Sequence, residues 1–217
     1  MMKRLFFNLL AVGVVFIASG CGAKDTPQQT VEDFRAAIVN SDQAAFLACF
    51  DASALQQQLL VATFDMEMAL RAFRVQVAGA FGEPASHQFG ADDPFITLMK
   101  MDPDELSFDV EGDRASLNNI RGFWEFTKVD GEWKITLGHM AASPEHVTKG
   151  VATMGLVGGV YREMIPQVTQ EGMTVKQLQA DLRAGMDALR AQHAYTEHQP
   201  PSTHDHAEDD GESVEPE

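Results

Sequence analysis

The chain has 217 residues, 45% of them hydrophobic, and carries 32 acidic against 16 basic side chains for a formal net charge of −16. A surface this acidic repels nucleic-acid phosphates and anionic lipid head groups, which excludes a role in nucleic-acid binding. Two cysteines, Cys21 and Cys49, make no disulfide framework, and the stretch between Cys21 and the C-terminal tail is long enough for one domain with a real core.

Met1, Met2, Lys3 and Arg4 form a basic start, Leu5 to Ile17 is almost wholly apolar, and the small residues Ala18, Ser19 and Gly20 precede Cys21. That is the layout of an export signal. The apolar run is about 13 residues, whereas a helix needs about 20 to cross the hydrocarbon core, so no permanent span is expected. The segment "IASGC" resembles the lipobox of bacterial lipoproteins. The resemblance implies a signal peptide over 1–20, lipid attached to Cys21 as the mature N-terminus, and a lipidated tether over 21–25. Buried acyl CH₂ groups contribute about 0.8 kcal/mol each, so several chains would hold the protein to the membrane. Gly22, a residue other than Asp after the cysteine, implies the periplasmic face of the outer membrane. The alternative is an ordinary signal cleaved near Ala23. Either cleavage removes two basic residues, Lys3 and Arg4, and none of the acidic ones.

Thr26, Pro27 and Gln29 have the pattern of a helix start, with Thr as N-cap and Pro in the first turn, and Val31, Phe34 and Ile38 follow at helical spacing. "NSDQ" (Asn40 to Gln43) breaks this helix and caps a second one whose apolar side is Phe46, Leu47 and Phe50. Cys49, in "AAFLACF", reads as a buried, inert thiol. From Ser53 to Phe81 the residues Leu55, Leu59, Met66, Leu70, Phe73, Val77 and Phe81 form one long stripe, with Glu67 and Arg71 a turn apart as a surface pair. Its Met and Phe residues read as core. Gly82, Pro84 and a loop to Pro103 end the run, with a short helical turn over Phe95 to Met99.

The period then becomes two. Leu106, Phe108 and Val110 alternate with Ser107, Asp109 and Glu111, a half-buried strand, and "EGD" turns the chain into a second strand over Ala115 to Ile120. "GFWEFTKVDGEWKITLG", Gly122 to Gly138, predicts a hairpin turning at Asp130 and Gly131. Trp124 and Phe126 share a face of its first strand; Trp133, Ile135 and Leu137 share a face of its second.

Helices return after Ser143. Gly150, Gly155, Gly158 and Gly159 punctuate the first, and each glycine inside a helix costs about 1 kcal/mol against Ala, so a close approach of another backbone is expected. Packing on the sheet or on the last helix is favoured over membrane contact, because Arg162 and Glu163 interrupt the apolar stretch. A capping box at Thr174 to Gln177 starts the last helix, striped by Val175, Leu178, Leu182, Met186 and Leu189. From Glu197 onward there are eight acidic residues and no Lys or Arg, the composition of a disordered acidic tail. His193, His198, His204 and His206 lie in or beside it, and "HDHAEDD" offers loose, weak metal binding as an alternative to a merely solvated tail.

"TPQQTVEDFRAAIVNSDQAAFLACFD" followed by the "VDGEWKITL" hairpin resembles the nuclear transport factor two-like, or cystatin-like, superfamily over roughly Thr26 to Gly138. The expected architecture is α+β. N-terminal helices pack on a curved antiparallel sheet (26–142), a C-terminal helical pair follows (143–193), and a disordered acidic tail ends the chain (194–217). The superfamily includes isomerases, cyclases and non-enzymatic binding domains, so fold alone assigns no reaction. The leading expectation is a non-catalytic, lipid-anchored envelope module that binds a protein partner or a small apolar ligand. If the sheet encloses a pocket, Trp124, Phe126 and Trp133 line it. The competing expectation is an isomerase- or cyclase-like enzyme acting on a small apolar substrate through Asp109 or His139. No pattern calls for a cofactor or a structural metal.

Overall fold

The structure, a computed structural model, describes residues 26–90, 94–118, 124–137 and 143–197. Cys21 and the expected signal before it, His139, and the tail beyond Glu197 lie outside the described residues.

Helix α1 spans Pro27–Asn40, and the Gln29 N–H donates to Thr26 Oγ1 at 3.1 Å, the cap expected from the sequence. It ends where Ser41 turns left-handed (φ 56°), and Asp42 caps α2, Gln43–Leu47, by accepting the Ala45 N–H at 2.9 Å. Phe50 leaves the helical pattern that its spacing predicted. With Asp51 it forms β1, a two-residue strand parallel to β5, because the Ile135 N–H donates to the Cys49 carbonyl at 2.8 Å and draws the chain onto the sheet edge.

Helix α3, Ala54–Phe81, opens on a reciprocal capping box between Ser53 and Gln56 and stops at Gly82, whose φ of 87° a side chain would oppose. One stripe does not describe it. Leu59, Leu60 and Phe64 pack with α1, α2 and the sheet, whereas Met66, Leu70, Phe73 and Val77 pack in a second core with Phe89, Tyr161 and Leu178. The helix is therefore flanked on more than one side, and Glu67 is buried at 6% exposure instead of forming a surface pair. Arg71 has other work: its Nη1 donates to the Ile38 and Val39 carbonyls at the end of α1, at 2.6 and 2.7 Å. Short helices α4, Glu83–Ser86, and α5, Pro94–Lys100, follow.

The remaining strands are β2 (Phe108–Glu111), β3 (Arg114–Leu117), β4 (Glu125–Val129) and β5 (Glu132–Thr136). They form a curved, unclosed sheet in the order β1-β5-β4-β3-β2, antiparallel except at β1. Asp130 and Gly131 both have positive φ (52° and 87°), the requirement of a two-residue I′ hairpin turn. The molecule is α+β as the sequence pattern implied, with helices on one face of the sheet.

Helix α6, Pro144–Met164, lies along α3, and α7, Val175–Glu197, lies against α6. Two of the four glycines of α6, Gly150 and Gly158, give clearance to α3 and not to the sheet or the last helix, whereas a Cβ on Gly155 or Gly159 would meet nothing within 4 Å. A Cβ on Gly158 would stand 3.3 Å from the Met66 Cα, and one on Gly150 only 2.7 Å from a Leu59 methyl. A residue of α7, Gly185, gives the reciprocal clearance to Val160 of α6.

Candidate functional site

The two faces of the sheet differ completely, and strand alternation explains why. Phe50, Ile135, Phe126, Ala115 and Val110 stand opposite one another across all five strands and form an apolar row, buried under the helices from β1 to β3 and exposed at Val110 on the edge strand. The three sequence-predicted aromatics belong to this side: Trp124, Phe126 and Trp133 are 5%, 2% and 4% exposed. Trp124 meets Phe34 edge-on with ring centroids 5.5 Å apart, Phe126 meets Phe108 at 5.5 Å, and Thr30 Oγ1 donates to the Trp133 carbonyl at 2.9 Å. Phe34, Phe46, Phe50 and Phe64 complete the packing, so α1, α2 and α3 occupy the space where a ligand in contact with these rings would sit.

The opposite face is polar and carries a hollow of about 610 Å³. Its floor is another complete register row: Asp51 opposite Thr136, then Glu125, Ser116 and Asp109. Three carboxylates thus alternate with two hydroxyls. A second row, Glu111, Arg114, Thr127 and Lys134, runs beside it. Lys134 is already engaged, donating to Glu132 at 2.7 Å and to the Ala48 carbonyl at 2.9 Å, and Thr136 Oγ1 donates to the Glu125 carbonyl at 3.3 Å. Negative charge therefore dominates this face.

Asp109 lies on the edge strand with its side chain exposed. An isomerase-type base works inside an apolar pocket beside an oxyanion donor, and a water-facing acid among Glu111 and Glu125 has no such surroundings. The alternative candidate, His139, lies outside the described residues, as do the tail histidines from His198 onward. Among the described residues no group of three His, Cys, Asp or Glu is arranged to hold a metal ion, and no described helix is long and apolar enough to cross a membrane. Cys49 is fully buried, with its thiol donating to the Ala45 carbonyl at 3.4 Å.

The sequence reading missed Asp51, Ser116, Glu125 and Thr136 as members of one surface. Their signal was present in the polar positions of the alternating strands, but only the register aligns them. Arg35 is pulled below its ordinary basicity by burial, opposed by the nearby charges of Glu32 and Asp102. It donates to the Leu98 and Met101 carbonyls and thereby fastens α5 to α1.

Comparison with family models, with curated proteins and with solved structures gives no match.

Proposed function

We propose that this chain is a lipid-anchored envelope protein that works as a non-catalytic binding module, docking a basic segment of a protein partner on the outer face of its sheet. The observation that carries the reading is the row Asp51, Thr136, Glu125, Ser116 and Asp109 under an open hollow of about 610 Å³. Carboxylates accept from Lys and Arg, intervening hydroxyls donate or accept, and such a surface selects cationic partners through charge complementarity. The buried positions of Trp124, Phe126 and Trp133 favour this protein-facing role over an apolar ligand held beneath the sheet. Helices on one side of a curved antiparallel sheet support the likeness to the nuclear transport factor two-like superfamily. The "IASGC" segment supports attachment through Cys21, which would present the domain at the periplasmic face of the outer membrane.

Calorimetric titration of the purified chain with a lysine-rich peptide tests the binding face. The combined Asp51→Asn, Asp109→Asn and Glu125→Gln variant should bind about ten-fold or more weakly. Glu145→Gln, Glu163→Gln and Glu171→Gln together remove as much charge from exposed positions elsewhere and should leave binding nearly intact. Equal losses in the two variants would reduce the effect to net charge and defeat the reading. For the anchor, mass spectrometry of the native protein should find acyl chains on Cys21, and Cys21→Ser should release the protein from membranes without detergent.

A further inference from the structure

Most of the chain is acidic, yet one surface region gathers cations. Arg71 and Arg74 are three residues apart on α3 and face the same way. Two adjoining hollows, each of about 290 Å³, share these two side chains. The first also has Lys100 from the end of α5, His87 after α4, and Glu67 on its wall; the second is bordered by Glu83. Lys100 joins Arg71 and Arg74 as a third cation, against the two carboxyl groups of Glu67 and Glu83, the latter in contact with His87 at 3.1 Å. Positive charge is therefore in excess there, against the sign of the whole molecule.

The arginines are positioned but not used up. Arg71 uses Nη1 for the Ile38 and Val39 carbonyls, and Arg74 uses Nε for the Ser86 carbonyl at 3.2 Å. Beyond these, the two guanidinium groups make no further hydrogen bond among the described residues, and Lys100 makes none. Helix-end carbonyls thus fix both groups in place while leaving paired N–H donors for an acceptor, the arrangement that suits bidentate recognition of an oxyanion. An independent feature defines the rest of the ligand. Val39 and Val75 are 52% and 61% exposed, two of the four large apolar side chains standing out in solvent among the described residues, and each borders one of these hollows.

We infer that the hollows around Arg71 and Arg74 form a binding site for a small amphiphilic oxyanion, a carboxylate or phosphate monoester with a short alkyl body. The head group docks on the free N–H donors of Arg71 and Arg74 with Lys100 nearby, and the alkyl body covers Val39 or Val75. The volume suits a small molecule rather than a lipid with two full chains. This site lies on the helices, independent of the sheet face, and its failure would leave the docking reading untouched.

Calorimetric titration of the full chain with octanoate, octyl phosphate and octanol tests it. Octanoate or octyl phosphate should bind, the tighter of the two naming the head group, and octanol should not. Arg74→Gln and Lys100→Gln should each weaken the anion about ten-fold, the loss expected for one charged hydrogen bond. Lys100→Gln removes no hydrogen bond among the described residues, so it separates recognition from folding. Either Val39→Ser or Val75→Ser should weaken the alkylated anions while leaving the fold intact, and no loss in either variant would overturn the inference. Binding of octanol as strong as octanoate, anion affinity unchanged in both cation variants, or no binding of either anion would overturn the inference.

Discussion

At the scale of the residue, the same side-chain type recurs in one structural role. Arg35, Arg71 and Arg74 each donate to carbonyls at or near a helix C-terminus, where four acceptors lack intrahelical partners and the macrodipole favours a cation. Lysine at these positions would offer one ammonium where a planar fork reaches two carbonyls. The glycines of α6 separate by position in a similar way. Gly155 is exposed with nothing near its missing Cβ, so Gly155→Ala should stabilise the fold by about 0.5–1 kcal/mol through a less flexible unfolded chain. Gly158 faces the Met66 backbone of α3, which cannot swing aside as a side-chain end can. Gly158→Leu should therefore destabilise by about 1–3 kcal/mol, the cost of overpacking. Urea unfolding of the two variants checks both signs, and equal effects would mean that α6 does not pack on α3 through Gly158.

At the scale of the element, the row on the outer sheet face avoids direct like-charge opposition. Hydroxyls separate its carboxylates by two strand spacings, about 9.6 Å, where two charges in water repel by only about 0.4 kcal/mol. Ser116→Glu would place a third charge directly between Asp109 and Glu125. It should destabilise by about 0.5–1.5 kcal/mol, with much of the loss recovered in high salt, whereas Ser116→Lys should be neutral or stabilising. Thermal melts at low and high salt measure both. This row shows why elements were easier to read than their assembly. The Thr26 cap, the helix break and cap at Asn40 to Gln43 and the Asp130-Gly131 turn are local chemistry, and each is legible from a few adjacent residues. Strand β1 is two residues long and exists because β5 accepts it, so Phe50 carried a helical spacing with no local sign of a strand. Glu67 was misplaced for a related reason: a periodicity shows one stripe, while α3 is covered on two sides. The cation site had a faint trace, Arg71 and Arg74 one turn apart without an acid between them, but Lys100 joins them only through the fold.

At the scale of the molecule, an anionic body of net charge −16 carries a concentrated negative face on its sheet and a small positive site on its helices. Long-range repulsion and local recognition consequently respond to salt in opposite directions. Self-repulsion among carboxylates opposes the compact state most at low ionic strength, where the screening length is about 30 Å, and much less at physiological salt, where it is about 8 Å. The melting temperature of the full chain should therefore rise by a few degrees, about 2–5 °C, between about 0.01 M and 0.15 M sodium chloride. Affinity for a lysine-rich peptide should fall over the same range, because the charges that oppose folding are those that attract the partner. Neutralising Asp51, Asp109 and Glu125 together should flatten both curves. If the melting curve flattened while peptide affinity kept its salt dependence, the sheet face would be a source of repulsion without being the docking surface, and the two effects would have to be assigned to different carboxylates.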